Sequence, residues 1–391
     1  MESTAALDTS PKTQRQAQRA SPVRQRLVSL DVFRGMTVAG MLLVNDPGTW
    51  SAVYPPLEHA EWNGWTPTDL VFPFFLFIMG VALELSLASR REALSSGAAR
   101  QPVMRHILYR SLILFALGVF LHLAPLFHIR TMRVMGVLQR IALCYFFAAL
   151  LTLKTGLRTR IAAVAALLLG YWALMTLVPV PGYGKGHLDP EGNLAAYIDR
   201  ALMNGHLWKP RWDPEGWLST LPAIATTLLG GFAGRWLNSS AAASKKILGL
   251  VLGGAAGLAV GELWNIWFPI NKNLWTSSYT VFTAGFACLL LALCYWLIEV
   301  QGWKRWGLPF QVFGANAIFA YVLSIVFAKA GYLVKFTAGG QRTILQGYIY
   351  QHFFAPLASP RMSSLLFAIF FVILCWLPAA VLYRKKIFLK I

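Results

Sequence analysis

The residues best suited to chemistry lie between Asn45 and Gly80, in NDPGTWSAVYPPLEHAEWNGWTPTDLVFPFFLFIMG. This segment sets one histidine, His59, among Asn, Asp, Glu and Trp between two long apolar runs. Histidine is the side chain whose ordinary pKa lets it exchange protons near neutrality. A loop anchored at both ends by membrane helices holds such a group at the lipid boundary. The pattern points to acid–base chemistry at a membrane surface rather than to passive spanning.

Further polar residues interrupt the apolar runs, where an ionisable group is costly and is by default a functional candidate. Asp31 and Arg34 stand three apart in the first run. They read either as a self-neutralising ion pair or as a cation offered to an anion entering from the cytoplasm. From Arg34 to Asn45 is roughly 16 Å of helix at ~1.5 Å per residue. One helix therefore joins an inner cation to an outer amide. Arg140, beside Gln139 in RVMGVLQRIAL, reads equally as a bundle ion pair or a ligand contact, and Arg133 as an interfacial residue. Glu84 calls for an arginine partner that the sequence does not identify. Glu262 with Asn265, and Asn316 in GANAIFAY, read first as packing hydrogen bonds. Of the other histidines, His106 is expected at the inner interface. His122 and His128 flank an outer helix end, and His187, His206 and His352 fall in long loops. HExxH, Walker, Rossmann and GxSxG patterns are all missing, and no metal site is expected.

The elements that position these residues follow from composition. The chain has 391 residues, 57% apolar and 13% charged, against about 25% charged in soluble domains. An all-α polytopic membrane bundle is expected. Ten segments approach the ~20 apolar residues a span requires: 27–44, 68–89, 106–125, 134–153, 161–178, 217–237, 247–267, 277–298, 308–327 and 363–383. The segment from Trp217 is the least hydrophobic. No internal repeat is visible. Residues 1–25 form a polar basic tail expected to be disordered, without a cleavable signal pattern, and residues 26–391 form the membrane domain. Cys144, Cys288, Cys294 and Cys375 sit inside apolar runs as packing residues.

The net charge of +19 reflects cations in short loops rather than nucleic-acid binding. The basic tail, Arg90/Arg91/Arg100/Arg105, Lys154/Arg158/Arg160, Arg235/Lys245/Lys246, Lys304/Arg305 and Arg384/Lys385/Lys386/Lys390 fall on one side. The positive-inside rule makes that side cytoplasmic, with both termini, and places His59 outside. Long outer loops at 179–215 and 328–362, rich in Gly, Tyr, Trp and Pro, are expected to be partly ordered caps.

The motifs RLVSLDVFRGMTVAGMLLVN, HAEWNGWTPTDLVFPFFLFIMG, GVLQRIALCYF, DPEGWLSTLPAI, FPINKNLWTSSY and LYRKKIFLKI, in this order, resemble the heparan-α-glucosaminide N-acetyltransferase family over residues 26–391. The chain looks like a short bacterial-type member. It departs from the lysosomal member in lacking a lumenal domain and in carrying DPGTWSAVYPPLE between Asn45 and His59. The resemblance implies a multi-pass protein of the bacterial-type inner membrane, surrounded by lipid. It implies acetyl-CoA as cytoplasmic co-substrate, no metal, and a sugar or glycan acceptor on the far side; a homodimer is an open alternative.

The resemblance also assigns the active site to His59, in HAxWNG, and to Asn45. In that chemistry His59 acts as general base or transient acyl carrier, and Asn45 donates to the thioester oxyanion. Asp69 or Glu61 orients the imidazole, although Asp69 reads equally as a helix cap. Arg34 and Arg140 are candidates for the anionic head of CoA. Trp62, Asn63, Asp213, Glu215, Asn271, Asn273 and Trp275 are candidates for the acceptor pocket, while an interfacial belt is the rival reading of the tryptophans. Rival functions are a sugar or lipid-intermediate transporter or flippase, and a structural membrane subunit.

Overall fold

The computed structural model describes residues 27–95, 101–338 and 340–389. The expected tail at 1–25, Arg100 and Lys390 lie outside these described residues. Apolar runs that meet lipid satisfy their backbone groups internally, and so close into helices. These are α1 (Val28–Asn45), α2 (Val71–Ser95), α3 (Gln101–Leu123), α4 (Val137–Lys154), α5 (Leu157–Leu177), α6 (Leu194–Met203), α7 (Thr220–Leu237), α8 (Ala243–Asn265), α9 (Ser277–Tyr295), α10 (Leu308–Ala315), α11 (Ala317–Leu333), α12 (Leu345–Ile349) and α13 (Pro360–Arg384). A small antiparallel hairpin, β1 (Lys335–Ala338) and β2 (Gln341–Ile344), pairs Lys335 with Ile344 and Thr337 with Arg342.

Among the described residues eight helices, α1 to α5, α8, α9 and α13, are long and apolar enough to cross a bilayer. Helices α10 and α11 bend by 73° at Asn316 and make a ninth when counted as one broken span. The protein is an all-α, multi-pass bundle, as expected. The tenth expected span, 217–237, is α7, whose composition falls short of that test. Its setting explains why. Thr226, Thr227, Gly230, Gly231 and Gly234 are all buried against protein, and a helix screened from lipid needs little apolar side chain. Small residues let it approach α2 closely. A β-carbon on Gly230 would lie 2.0 Å from the Phe77 carbonyl oxygen, and one on Gly80 1.8 Å from that of Thr227.

Among the described residues the buried core divides into four apolar clusters. One draws on α2, α3, α4, α5, α7 and α9, a second on α1, α2, α7, α8 and α9, a third on α1, α10, α11 and α13, and a fourth on α5, α6 and neighbouring loops. The arginine that answers Glu84 is Arg160, expected in a cytoplasmic loop but buried at the start of α5, with Nη1 2.7 Å from Glu84 Oε2. Arg91 bonds the other oxygen of Glu84. Asn316 fills the break between α10 and α11. Its amide donates to the Ile387 carbonyl at 3.1 Å and its oxygen accepts from the Leu389 amide at 2.9 Å, tying the segment after α13 to the bend. The loops expected to be partly ordered contain α6, capped by Asn193, and the hairpin with α12.

Candidate active site

The loop after α1 returns to the bundle through a short helical turn, Pro67–Leu70, which leads into α2. Thr66 and Asp69 close this turn as a capping box. Asp69 is 1% exposed, and its two carboxylate oxygens have separate tasks. Oδ2 accepts the backbone amides of Ala60 (3.1 Å) and Thr66 (3.0 Å). Oδ1 lies 2.7 Å from Nδ1 of His59. The Tyr279 hydroxyl donates to the Asp69 carbonyl at 2.5 Å. Asp69 is therefore both a helix cap and the partner of His59.

A carboxylate on Nδ1 fixes the proton there and leaves Nε2 as the ring atom whose lone pair can accept a proton. The His59 side chain is 44% exposed and faces the cavity. Sequence reasoning missed its closest cation, Lys272. The ammonium lies 3.0 Å from both ring nitrogens and 3.6 Å from Asp69 Oδ1. With Nδ1 protonated, Nε2 is the ring atom that can accept from it. Burial pulls the Lys272 pKa below its ordinary value, against the opposing pull of Asp69 and Glu215. Its signal in the sequence was a lysine between two asparagines on the side of the chain otherwise poor in cations.

Lys272 is held by a built turn. Asn271 Oδ1 accepts from the Leu274 amide (2.9 Å), Asn271 Nδ2 donates to Asn63 Oδ1 (3.1 Å), and the Gly64 amide donates to the Ile270 carbonyl (2.8 Å). These last two bonds join the HAEWNG loop to the NKNLW loop. Trp275 closes the turn in the left-handed backbone region at φ 52°. Its side chain is 1% exposed; it donates to Thr226 Oγ1 at 3.1 Å and packs edge-on against Phe72 and Tyr279. Expected as a sugar-stacking residue, Trp275 stands in the core.

A cavity of about 1070 Å³ runs from this point, walled by members of the first cluster such as Leu83, Leu114 and Ile141 and of the third such as Leu42 and Ala317. Asn45, Asp46, His59, Glu215, Lys272 and Asn273 line one end. Arg34, Arg90, His106 and Arg110 line the other, at the start of α1, the end of α2 and the start of α3. Arg90 and Arg110 lie near enough to His106 to act on it electrostatically, and Arg110 stacks on Tyr145 at 4.6 Å. Arg34 forms the expected pair with Asp31 (3.2 Å) and also donates to the Gly314 carbonyl (3.1 Å).

The remaining expected residues separate into wall and support. Arg140 is fully buried and is not on the cavity wall. It donates to the Gly216 carbonyl at 3.0 Å, bonds Ser219 Oγ and stacks over Trp275 at 5.1 Å. Asp213 and Glu215 clamp Arg133, which also covers Trp208 at 5.1 Å. Burial favours neutral forms in this cluster. The opposing charges nevertheless hold Glu215 below the usual carboxylate range and Arg133 above its own. Trp62 donates to the Leu188 carbonyl at 2.8 Å and meets Trp212 edge-on; Asn63 is exposed.

Fold and site together define a multi-pass membrane protein with a His–carboxylate pair facing a cavity whose other end is basic. The chain belongs to the heparan-alpha-glucosaminide N-acetyltransferase family, whose catalytic-region pattern matches residues 26–256. It is 33% identical over 370 residues to human heparan-alpha-glucosaminide N-acetyltransferase, covering 79% of this chain and 54% of that protein. It is 31% identical over 442 residues to the mouse protein of the same name, covering 98% of this chain and 62% of that protein. The chain thus spans less than two thirds of the length of these relatives.

Proposed function

We propose that the protein is a transmembrane acetyltransferase that moves the acetyl group of cytoplasmic acetyl-CoA to an amino sugar or related glycan on the opposite side of a bacterial-type inner membrane. The observation that carries this reading is the cavity, with Arg34, Arg90, His106 and Arg110 at one end and His59, backed by Asp69, and Lys272 at the other. Guanidinium groups suit the phosphates of CoA. Arg34 and Asn45 lie at opposite ends of α1, so the thioester arm has a continuous route between them. The names of the relatives supply the N-acetyl transfer and the glucosamine-type acceptor.

In this mechanism Nε2 of His59 takes a proton as the acceptor nitrogen attacks the thioester carbon, and returns it to the CoA thiolate that leaves. Asp69 stabilises the imidazolium and fixes its orientation. Asn45 and Lys272 donate to the oxyanion of the tetrahedral intermediate. Glu215 and Asn273 face the acceptor. Arg140 acts from behind, fixing the Gly216–Ser219 turn that carries Glu215.

The test is His59→Ala in purified protein. Acetyl transfer falls by about 10²–10⁴-fold, the usual range for losing a general acid–base. Stabilisation by CoA persists, because a ligand that binds the native state raises its melting temperature whether or not chemistry follows. Full turnover in the variant sinks the assignment of His59. Movement of sugar across liposomes without acetyl-CoA would instead favour a transporter.

A further inference from the structure

Asp46, the residue after α1, carries a carboxyl group that the mechanism above does not use. It lines the same cavity as Asn45 and His59. Its place is fixed by the turn that follows it. The Gly48 amide donates to the Ser364 carbonyl (3.2 Å), the Thr49 amide to Ser364 Oγ (3.1 Å), and Ser364 Oγ in turn to the Thr49 carbonyl (3.1 Å). Gly48 admits no side chain here, since a β-carbon would fall 2.4 Å from the Tyr350 ring. Rigid backbone therefore holds the carboxyl at the cavity wall.

No cation pairs with Asp46 among the described residues, and the titratable neighbour that senses its charge is the Cys375 thiol of α13. Burial pushes its pKa up to about 7. A carboxylate in this setting is costly until a cation meets it. The protein supplies cations to Asp31, Asp69, Glu84, Asp213 and Glu215 but leaves this wall carboxylate without one.

We infer that Asp46 is the recognition site for the ammonium group of the acceptor, selecting an amino sugar over a neutral sugar. The inference rests on the acetyl-transfer reading of the cavity. The ammonium docks on the carboxylate and then gives it one proton. The N–H bond breaks, an O–H bond forms on Asp46, and the electron pair stays on nitrogen as the lone pair that attacks the thioester. The second proton, lost as the amide forms, goes to His59 and on to the thiolate.

Binding of glucosamine and of glucose to the detergent-purified protein tests the site without turnover. The wild type favours glucosamine by about 10- to 100-fold, the range of a hydrogen bond to a charged group. Asp46→Asn, which keeps the shape, brings that ratio near one while CoA still raises its melting temperature. Asp46→Ser serves the same measurement if the asparagine variant does not fold. A wild type without preference for glucosamine, or a variant that keeps it, overturns the inference. Acetyl-CoA consumption followed in parallel separates the two readings. Transfer with an unchanged ratio in the variant removes Asp46 alone, whereas a ratio lost on mutation without any transfer by the wild type removes the reaction and leaves the ammonium site standing.

Discussion

At the scale of single residues, Lys272 is the group whose burial is hardest to explain by stability alone. Burial lowers its pKa, and the sign of the consequence follows from linkage. The unfolded chain holds the proton more tightly than the folded one. Folding therefore bears a cost that is fully present below the folded pKa and disappears as pH rises towards the unfolded value of 10.5. Lys272→Met removes this cost. The variant is expected to melt at or above the wild-type temperature at pH 7, with the difference closing as pH approaches that of free lysine. If Lys272 stabilises the oxyanion, turnover falls by about 10²-fold or more, the low end of the effect of losing a donor to an oxyanion. A lower melting temperature with full turnover would mark the lysine as purely structural.

His59 and Asp69 were legible because the pair is local: ten residues and one capping turn bring them together. Lys272, 213 residues away from His59, needed tertiary structure. Arg140 was read equally as a bundle ion pair or a ligand contact, and Trp275 as a sugar-stacking residue or part of an interfacial belt. Packing against each other and against Thr226 and Gly216 gives them a supporting place. Residue type reports what a side chain can do, and only burial reports whether anything can reach it.

At the scale of elements, hydropathy located nearly every helix, and it was weakest where helices touch helices instead of lipid. Helix α7 shows this directly, since the glycines that depress its hydropathy are the ones that admit α2. Gly230→Val should separate the pair, because its β-carbon would sit 2.0 Å from a backbone oxygen that has no side-chain freedom. The expected loss exceeds about 3 kcal/mol, at the upper end for overpacking, read as a fall in melting temperature in detergent. A variant as stable as the wild type would mean that α2 and α7 can part without disturbing the core. Charge was a poor guide to depth: Arg160 belongs to a basic cluster in sequence but lies buried against Glu84. Likewise the apolar run 308–327 gave no warning of the 73° bend that Asn316 occupies.

At the scale of the whole molecule, the proposed function has donor and acceptor enter the long cavity from opposite ends. Arg34, Arg90 and Arg110 lie on the side that the charge bias makes cytoplasmic. In proteoliposomes of one orientation, transfer is therefore expected only with acetyl-CoA facing these arginines and the amino sugar on the other side. Equal rates with both substrates on the His59 side would show that the donor does not use the basic end. That end was half legible in the sequence. Arg34 stood out inside an apolar run, Arg90 was read as a cytoplasmic loop cation and His106 as an inner interfacial residue, and three helix ends bring them onto one wall with Arg110, which the sequence reading passed over.

The left-handed backbone of Trp275 carries a consequence for how this position can vary. An L-residue in that region is strained by roughly 1–2 kcal/mol, and glycine would relieve the strain. Glycine would also empty the space between Phe72, Tyr279 and Arg140, and the Trp275 amide that bonds the Lys272 carbonyl would lose its anchor. No single amino acid satisfies both the backbone and the pocket. Selection for a more relaxed chain and selection for a fixed lysine thus oppose one another at one codon, and a library randomised there should recover stability and activity in different clones.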